Sequence, residues 1–359
     1  MNSNLFFLLS GEHETLPAAE VLAILESENF AYSDVALAQK LLTLSADKSC
    51  TRAVVERAGM CEAAGLLIFR CRNLENEILE AVTEIPFSHF LGPGDRFSVR
   101  IRRVFGSSRH LHKMKLESKI GEIVLSSVES SVDLSESKNE FVGMIGEEHF
   151  VFGLVTARRQ DHNVNLRRPK ERPAFHPSTV QPRLARCLVN LARAKRGEVL
   201  LDPFCGVGGI LIEAGVMGCR VVGSDLDPRM VSKAFKNLKH FHINPDGLVV
   251  ADARKAPFIR TVSIATDPPY GRGASTLGAD LYRLLREFLN EAQSMLLSDG
   301  FLCLASPCDV EIQRLGLDAG LNIIESHLLR VHRSLTREIV VFSHRKKVHE
   351  ERIPWNLCS

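Results

Sequence analysis

Ile264-Ala265-Thr266-Asp267-Pro268-Pro269-Tyr270-Gly271-Arg272-Gly273 runs three apolar or β-branched residues into an acid, two prolines and an aromatic. The first part suits a strand. Proline lacks the N–H and fixes φ, so the Pro-Pro pair cannot continue a ladder. The strand must stop at Asp267 and leave its carboxylate at the carboxyl edge of a sheet, where open α/β sheets bind ligands. Gly271 and Gly273 permit close backbone approach beside it. An acid, a proline carbonyl and a flat aromatic together make a holder for a planar amino group.

The flanking sequence supplies the sheet. Val199-Leu200-Leu201 reads as a strand leading into Asp202-Pro203-Phe204-Cys205-Gly206-Val207-Gly208-Gly209 and a helix over 210–217. Strands over 220–224, 248–251 and 262–266 run to Asp225, Asp252 and Asp267, with helices over 230–240 and 281–297 between and after them. A strand over 301–305 and a helix over 310–319 follow, then two strands, 322–331 and 338–343, with no helix between them. Repeated strand–helix units imply a parallel sheet covered on both faces. The final helix-free pair implies an antiparallel edge.

The first 155 residues read differently. Strands are expected over 4–9, 32–37, 41–44, 66–71, 96–104, 132–134 and 150–155, and helices over 16–26, 50–65, 75–82 and 114–125, a helix-and-strand mixture without a nucleotide-binding signature. The 96–104 strand alternates Phe97, Val99 and Ile101 with Arg96, Ser98, Arg100 and Arg102, giving it a basic face that continues to Arg103. Residues 156–176 carry Arg158, Arg159, Arg167, Arg168, Lys170 and Arg172 against Asp161 and Glu171, and read as a basic linker facing a nucleic acid; a solvated loop is the plainer alternative. The expected division is thus an N-terminal region over 1–155, the linker over 156–176, a catalytic domain over 177–345 and a tail over 346–359.

Composition narrows the class. The net charge of +2 gives no general case for a polyanion partner, so such a case rests on local clustering. Nine scattered cysteines without a C-x-x-C pair support neither a metal site nor a disulfide framework. The start lacks a signal-peptide pattern and no uncharged apolar run reaches membrane-spanning length, so a soluble cytoplasmic protein is expected.

Gly206, Gly208 and Gly209 follow a buried strand and open a helix, which lets backbone N–H groups meet a ligand at the positive helix end. They depart from the dinucleotide G-x-G-x-x-G pattern. Asp225 is placed to accept from ribose hydroxyls, and the cap of the next helix falls to Asp227, beside Pro228. Asp252 is placed to accept from an adenine amino group, and Asp202 to face a ligand ammonium or to order the loop. Acids ending successive strands would repel pyrophosphate and suit a cationic, phosphate-free adenosine, S-adenosylmethionine. The expected cofactor-binding set is Asp202, Pro203, Gly206, Gly208, Asp225, Leu226, Asp252 and Ala253. His176 and Ser178 join it by folding over the cofactor, although a helix cap from Ser178 or Thr179 fits equally. Asp267 and Pro268 then face an acceptor amine, with Tyr270 stacked on its ring. Taken alone, Tyr270 reads equally well as a core aromatic. Cys205 has no general-base partner and is assigned to packing.

At these residues the chain resembles the amino-methyltransferases of the archaeal and eukaryotic tRNA guanosine-10 type. The resemblance is carried by Asp202-Pro203-Phe204-Cys205-Gly206, by Asp267-Pro268-Pro269-Tyr270-Gly271-Arg272, by Arg172 to Pro177, and by Ala185-Arg186 with Asn190-Leu191. Phe97-Ser98-Val99-Arg100 resembles the THUMP RNA-binding domain that precedes the catalytic domain there. The resemblance implies a Rossmann-like class I methyltransferase behind a THUMP-containing α+β region. It implies transfer of one or two methyls to N2 of guanosine 10 in tRNA, with Asp267, Pro268 and Tyr270 on the target base. Arg100, Arg102, Arg103, Arg167 and Arg168 are the RNA-binding residues expected. Some members work with a small zinc-binding activator subunit, and nothing in this sequence decides that. The other readings are a THUMP enzyme at a different tRNA guanosine, a DNA adenine-N6 methyltransferase, which shares Asp-Pro-Pro-Tyr, and a non-catalytic RNA-binding protein.

Overall fold

The computed structural model describes residues 2–104, 111–135, 137–160, 162–177, 179–255, 257–258, 260–269, 278–332 and 335–345. In chain order the first elements are β1 (Asn2–Leu9), α1 (Leu16–Ser27), β2 (Tyr32–Ala38), β3 (Leu41–Asp47), α2 (Cys50–Arg57), β4 (Cys61–Arg72), α3 (Glu75–Thr83), β5 (Asp95–Arg103) and α4 (Lys113–Ser127). There follow β6 (Ser130–Val132), β7 (Asn139–Ile145), β8 (His149–Arg158), α5 (His162–Leu166), α6 (Pro182–Leu191), β9 (Val199–Asp202), α7 (Gly209–Val216), β10 (Arg220–Asp225) and α8 (Pro228–His240). The last are β11 (Gly247–Val250), β12 (Thr261–Thr266), α9 (Gly278–Met295), β13 (Leu296–Pro307), α10 (Ile312–Asp318), β14 (Asn322–His332) and β15 (Leu335–Ser343).

The chain forms two units. One gathers the described parts of Met1–Glu14, Phe30–Glu56 and Cys61–Arg159; the other gathers those of Thr15–Asn29, Arg57–Met60 and Gln160–Ser359. The division is therefore not a single cut in sequence order, since α1 and residues 57–60 pack into the second unit. The reason is visible at Glu20 of α1. Its buried carboxylate accepts the backbone N–H groups of Gly59 and Met60 and the amide Nδ2 of Asn190, each at 2.8 Å.

The first unit is an eight-stranded sheet in the order β2-β3-β1-β4-β8-β7-β5-β6. β5 pairs parallel to both β6 and β7, and the other pairs are antiparallel. α3 and α4 cover one face through Ile78, Val82, Leu116, Ile120 and Val124, against Phe97, Phe141 and Phe152. Two sequence expectations fail here. The helix expected over 50–65 ends at Arg57, and Gly65, expected as its cap, is a strand residue of β4. A Cβ at Gly65 would lie 2.0 Å from the Leu154 carbonyl oxygen and 2.8 Å from the Phe6 ring. β7 has no counterpart among the expected strands.

The second unit is a seven-stranded sheet in the order β11-β10-β9-β12-β13-β15-β14. β11 to β13 are parallel, and β15 lies antiparallel between β13 and β14. The mostly parallel sheet and its antiparallel edge are as read from the sequence. Successive strand residues alternate between two cores. Leu200, Ala265, Cys303 and Val341 meet α1, α6, α7 and α8. Leu201, Ile264, Leu302 and Val340 meet α9 and α10. Burial on both faces is why these strands are continuous apolar runs. No helix of the described residues is long and apolar enough to cross a membrane.

Residues 156–176 are not an independent linker. β8 continues to Arg158, and Arg167 and Arg172 are buried in the second unit. Arg167, expected on the RNA surface, instead donates Nε to Glu213 Oε1 at 2.7 Å and Nη2 to Oε2 at 3.2 Å. A guanidinium enclosed with its carboxylate cannot serve a phosphate. Arg168 beside it is exposed.

Candidate active site

Two of the strand-end acids, Asp202 and Asp225, bond the β9–α7 turn. That turn needs two left-handed residues, Gly206 at φ 52° and Gly208 at φ 85°, which L side chains adopt only with strain. A Cβ on Gly206 would meet nothing within 4 Å, so this backbone borders open space. Cys205 N–H donates to the Ser224 carbonyl and Gly208 N–H to the Cys205 carbonyl, both at 2.8 Å, which fixes the loop to β10.

Asp225 continues that attachment. Its Oδ2 accepts from Gly206 N–H at 3.0 Å and its Oδ1 from Asp227 N–H at 2.9 Å. The carboxylate is thus held in one orientation beside the glycine loop. Asp227 caps α8 by accepting from Arg229 N–H, with Pro228 as the first helical residue, as the sequence predicts. Leu226, 68% exposed, presents an apolar surface next to Asp225.

Asp202 lies beneath the loop and is buried. It accepts from Thr266 Oγ1 at 2.7 Å and from Phe204 N–H at 3.2 Å. Burial pushes its carboxyl up to about 7; the bonds from Thr266 and Phe204 oppose this, and the neighbouring Asp267 and Asp225 charges add to it. Three strand-end acids therefore share one electrostatic neighbourhood. Asp252 is differently occupied. Arg254 Nε and Nη2 donate to its carboxylate at 2.6–3.1 Å, and these bonds hold it below the usual carboxylate range. Ala253 is buried beside it.

The segment before α6 is tied to the same loop by a residue that sequence reasoning missed. Asn237 of α8 accepts from Ala174 N–H and donates Nδ2 to the Ala174 and Val207 carbonyls, all at 2.9 Å. This brings the 174–176 backbone alongside the glycine loop. An Asn on an amphipathic helix carries no signal of such a role. The His176 carbonyl accepts from Thr179 Oγ1 at 2.8 Å. Ser178 lies outside the described residues.

Asp267 follows β12 directly, and Pro268 is buried beside it. Its Oδ2 stands 3.3 Å from Arg337 Nη1, with the two side chains only 9% and 12% exposed. Tyr270 and the Gly271-Arg272-Gly273 run lie outside the described residues.

In the first unit, β5 lines a cavity of about 420 Å³ with Ser98, Arg100, Arg102, Lys113, Glu117 and Arg158 among its walls. Arg100 donates to the Leu134 carbonyl at 2.5 Å, and Arg102 stands 3.5 Å from Glu62. Arg103 donates to the Leu111 carbonyl at 2.6 Å. Lys113 joins this surface from α4, and Arg158 from β8, where it is paired with Glu140 at 2.6 Å.

Two stretches of the chain match known protein families. Residues 169–339 match the family described as RMKL-like, methyltransferase domain, and residues 72–155 match the THUMP domain. The chain is 37% identical over 335 residues to the tRNA (guanine(10)-N2)-dimethyltransferase of Methanothermobacter thermautotrophicus, covering 93% of this chain and 97% of that protein. It is 28% identical to the enzyme of the same name from Methanocaldococcus jannaschii, covering 94% and 98%. The crystal structure of TrmN from Thermus thermophilus has the same fold, with a TM-score of 0.55 at 20% identity, covering 95% of this chain and 99% of that one.

Proposed function

Because the chain belongs to the tRNA (guanine(10)-N2)-dimethyltransferase family, we propose that it methylates the exocyclic N2 of guanosine 10 in tRNA, giving N2-methyl- and N2,N2-dimethylguanosine, with S-adenosylmethionine as donor. The observation that carries the reading is a glycine loop bonded by Asp225 through Gly206 N–H and by the buried Asp202 through Phe204 N–H, with the Asp267 charge in the same electrostatic neighbourhood. Anionic groups with open space beside Gly206 suit a cationic adenosine. In this reading Asp225 and Leu226 take its ribose and adenine and Asp252 its amino group, while the buried Asp202 orders the loop through Phe204 N–H.

When bound, the cofactor supplies an electrophilic methyl on a sulfonium. The protein's task is to make a poor nucleophile attack it. The guanine N2 lone pair is delocalised into the ring. Hydrogen bonds from its two N–H groups to the Asp267 carboxylate and the Pro268 carbonyl favour a pyramidal nitrogen with a directed lone pair. In-line positioning and an anion beside the nitrogen as it gains charge do the rest, with the Asp267 carboxylate as acceptor of the proton that N2 loses. Tyr270 is assigned to stacking on the base. The basic surface of the first unit is assigned to tRNA, and the cytoplasm is the proposed location.

Labelled S-adenosylmethionine with unmodified tRNA, followed by digestion to nucleosides, tests the reading. Label in N2-methyl- and N2,N2-dimethylguanosine from position 10 is expected. Label in N6-methyladenosine, in another guanosine, or nowhere refutes it. Two further outcomes follow. Asp225→Ala should weaken S-adenosylhomocysteine binding about 10–100-fold, as expected for one charge-assisted hydrogen bond; calorimetric affinity equal to wild type would remove Asp225 from the site. Replacing Arg100 and Arg102 by Ala should lower tRNA affinity and reduce the slope of log K against log salt by about 0.7–0.9 for each phosphate that is no longer neutralised. An unchanged slope would take this strand off the RNA surface.

A further inference from the structure

We infer that Arg337 is a positioning residue for Asp267, fixing which carboxylate oxygen meets the acceptor amine. The inference rests on the reading that Asp267 holds that amine. Arg337 reaches the site through topology. β15 runs antiparallel between β13 and β14, so its first residues lie at the edge where the parallel strands end, and Arg337 pairs with Pro307 at the end of β13. Its Nη1 stands 3.3 Å from Asp267 Oδ2, and both side chains are nearly enclosed.

Enclosing two opposite charges costs desolvation that their attraction does not reliably offset, so such a pair is weak evidence of a purely stabilising role. It has a direct consequence for the acid. A carboxylate has about four lone-pair positions. A guanidinium on Oδ2 restricts rotation about the last side-chain bond without exhausting those positions. The carboxylate is thereby held in one orientation relative to the end of β12. An acceptor amine needs this preorganisation, because its lone pair must lie on the line to the methyl group, and a loosely rotating carboxylate does not set that direction. Arg337 acts through Asp267 and takes no part in bond making.

The test measures three quantities on Arg337→Ala, Arg337→Lys and Asp267→Asn: S-adenosylhomocysteine affinity by calorimetry, KM for tRNA, and kcat. For Arg337→Ala, kcat should fall 10–100-fold while cofactor affinity and KM stay within threefold of wild type. Arg337→Lys, which restores charge without the planar fork, should recover part of the loss. An Arg337→Ala enzyme of wild-type kcat, beside an inactive Asp267→Asn, overturns the inference and leaves the reading of Asp267 standing. Parallel loss of cofactor affinity, KM and kcat in both Arg337 variants also overturns it, since that marks a structural role. An active Asp267→Asn enzyme overturns the reading itself.

Discussion

Asp267→Asn should lower kcat for methyl transfer by about 10³-fold, at the upper end of the loss on removing one preorganised electrostatic group from an active site, while S-adenosylhomocysteine affinity stays within threefold of wild type. The substitution keeps the volume but changes the chemistry in two ways. An amide carries no negative charge to answer the positive charge that grows on N2. Its NH2 group, if turned towards the amine, opposes one donor to another. Arg337 favours that unwanted rotamer, because its guanidinium, 3.3 Å away on Oδ2, attracts the amide oxygen and turns the NH2 towards the other side. The contrast with Asp225 is what makes the assignment testable. Asp225 is bonded to the glycine loop through Gly206 N–H, so its loss should appear in cofactor affinity. If Asp267→Asn weakened cofactor binding as much as Asp225→Ala, or retained activity, the roles assigned to the two acids would be wrong.

The seven-stranded sheet of the second unit was legible because its signals are local. Apolar runs end in an acid, glycines open a helix, and two prolines stop a strand; each is read within ten residues. The antiparallel end of the sheet followed from a missing helix. What the sequence hid depends on partners brought together by the fold. β7 contains Phe141-Val142-Gly143-Met144-Ile145, a run interrupted by a glycine that reads as a breaker. In the sheet a Cβ there would come within 2.4 Å of Ile101 and 2.5 Å of Phe150, so Gly143 marks close packing and not a turn. Arg337 is seventy residues beyond Asp267 and meets it only because the last strand reverses. Asn237, between lysines, resembles any polar helix residue until it is found bridging Ala174 and Val207.

The basic stretch 156–176 shows the same limit most plainly, and it yields the largest expected loss of stability. Charge runs are usually solvated, which favours an RNA-facing reading for Arg167. Its partner, Glu213, sits in the apolar helix Gly-Ile-Leu-Ile-Glu-Ala-Gly-Val and is the one charged residue there. Glu213 accepts from Arg167 and also from Arg186 Nε at 3.0 Å, and its side chain is 1% exposed. Arg172 is buried close by. Burial pulls its guanidinium down to about 10, with the Glu213 charge opposing that fall and Arg167 adding to it. One carboxylate thus stands among three enclosed cations. Glu213→Gln removes that anion and leaves the guanidiniums desolvated, for which the expected cost is about 3–5 kcal/mol. Arg168→Ala, one residue from Arg167 but exposed, should change stability by less than about 0.5 kcal/mol. Thermal denaturation of both variants decides the matter. A large fall for Glu213→Gln beside an unchanged Arg168→Ala is the expected result. Equal stability of the two would mean that the arginines find other partners or water, and that this stretch is held to the second unit by something other than its charges.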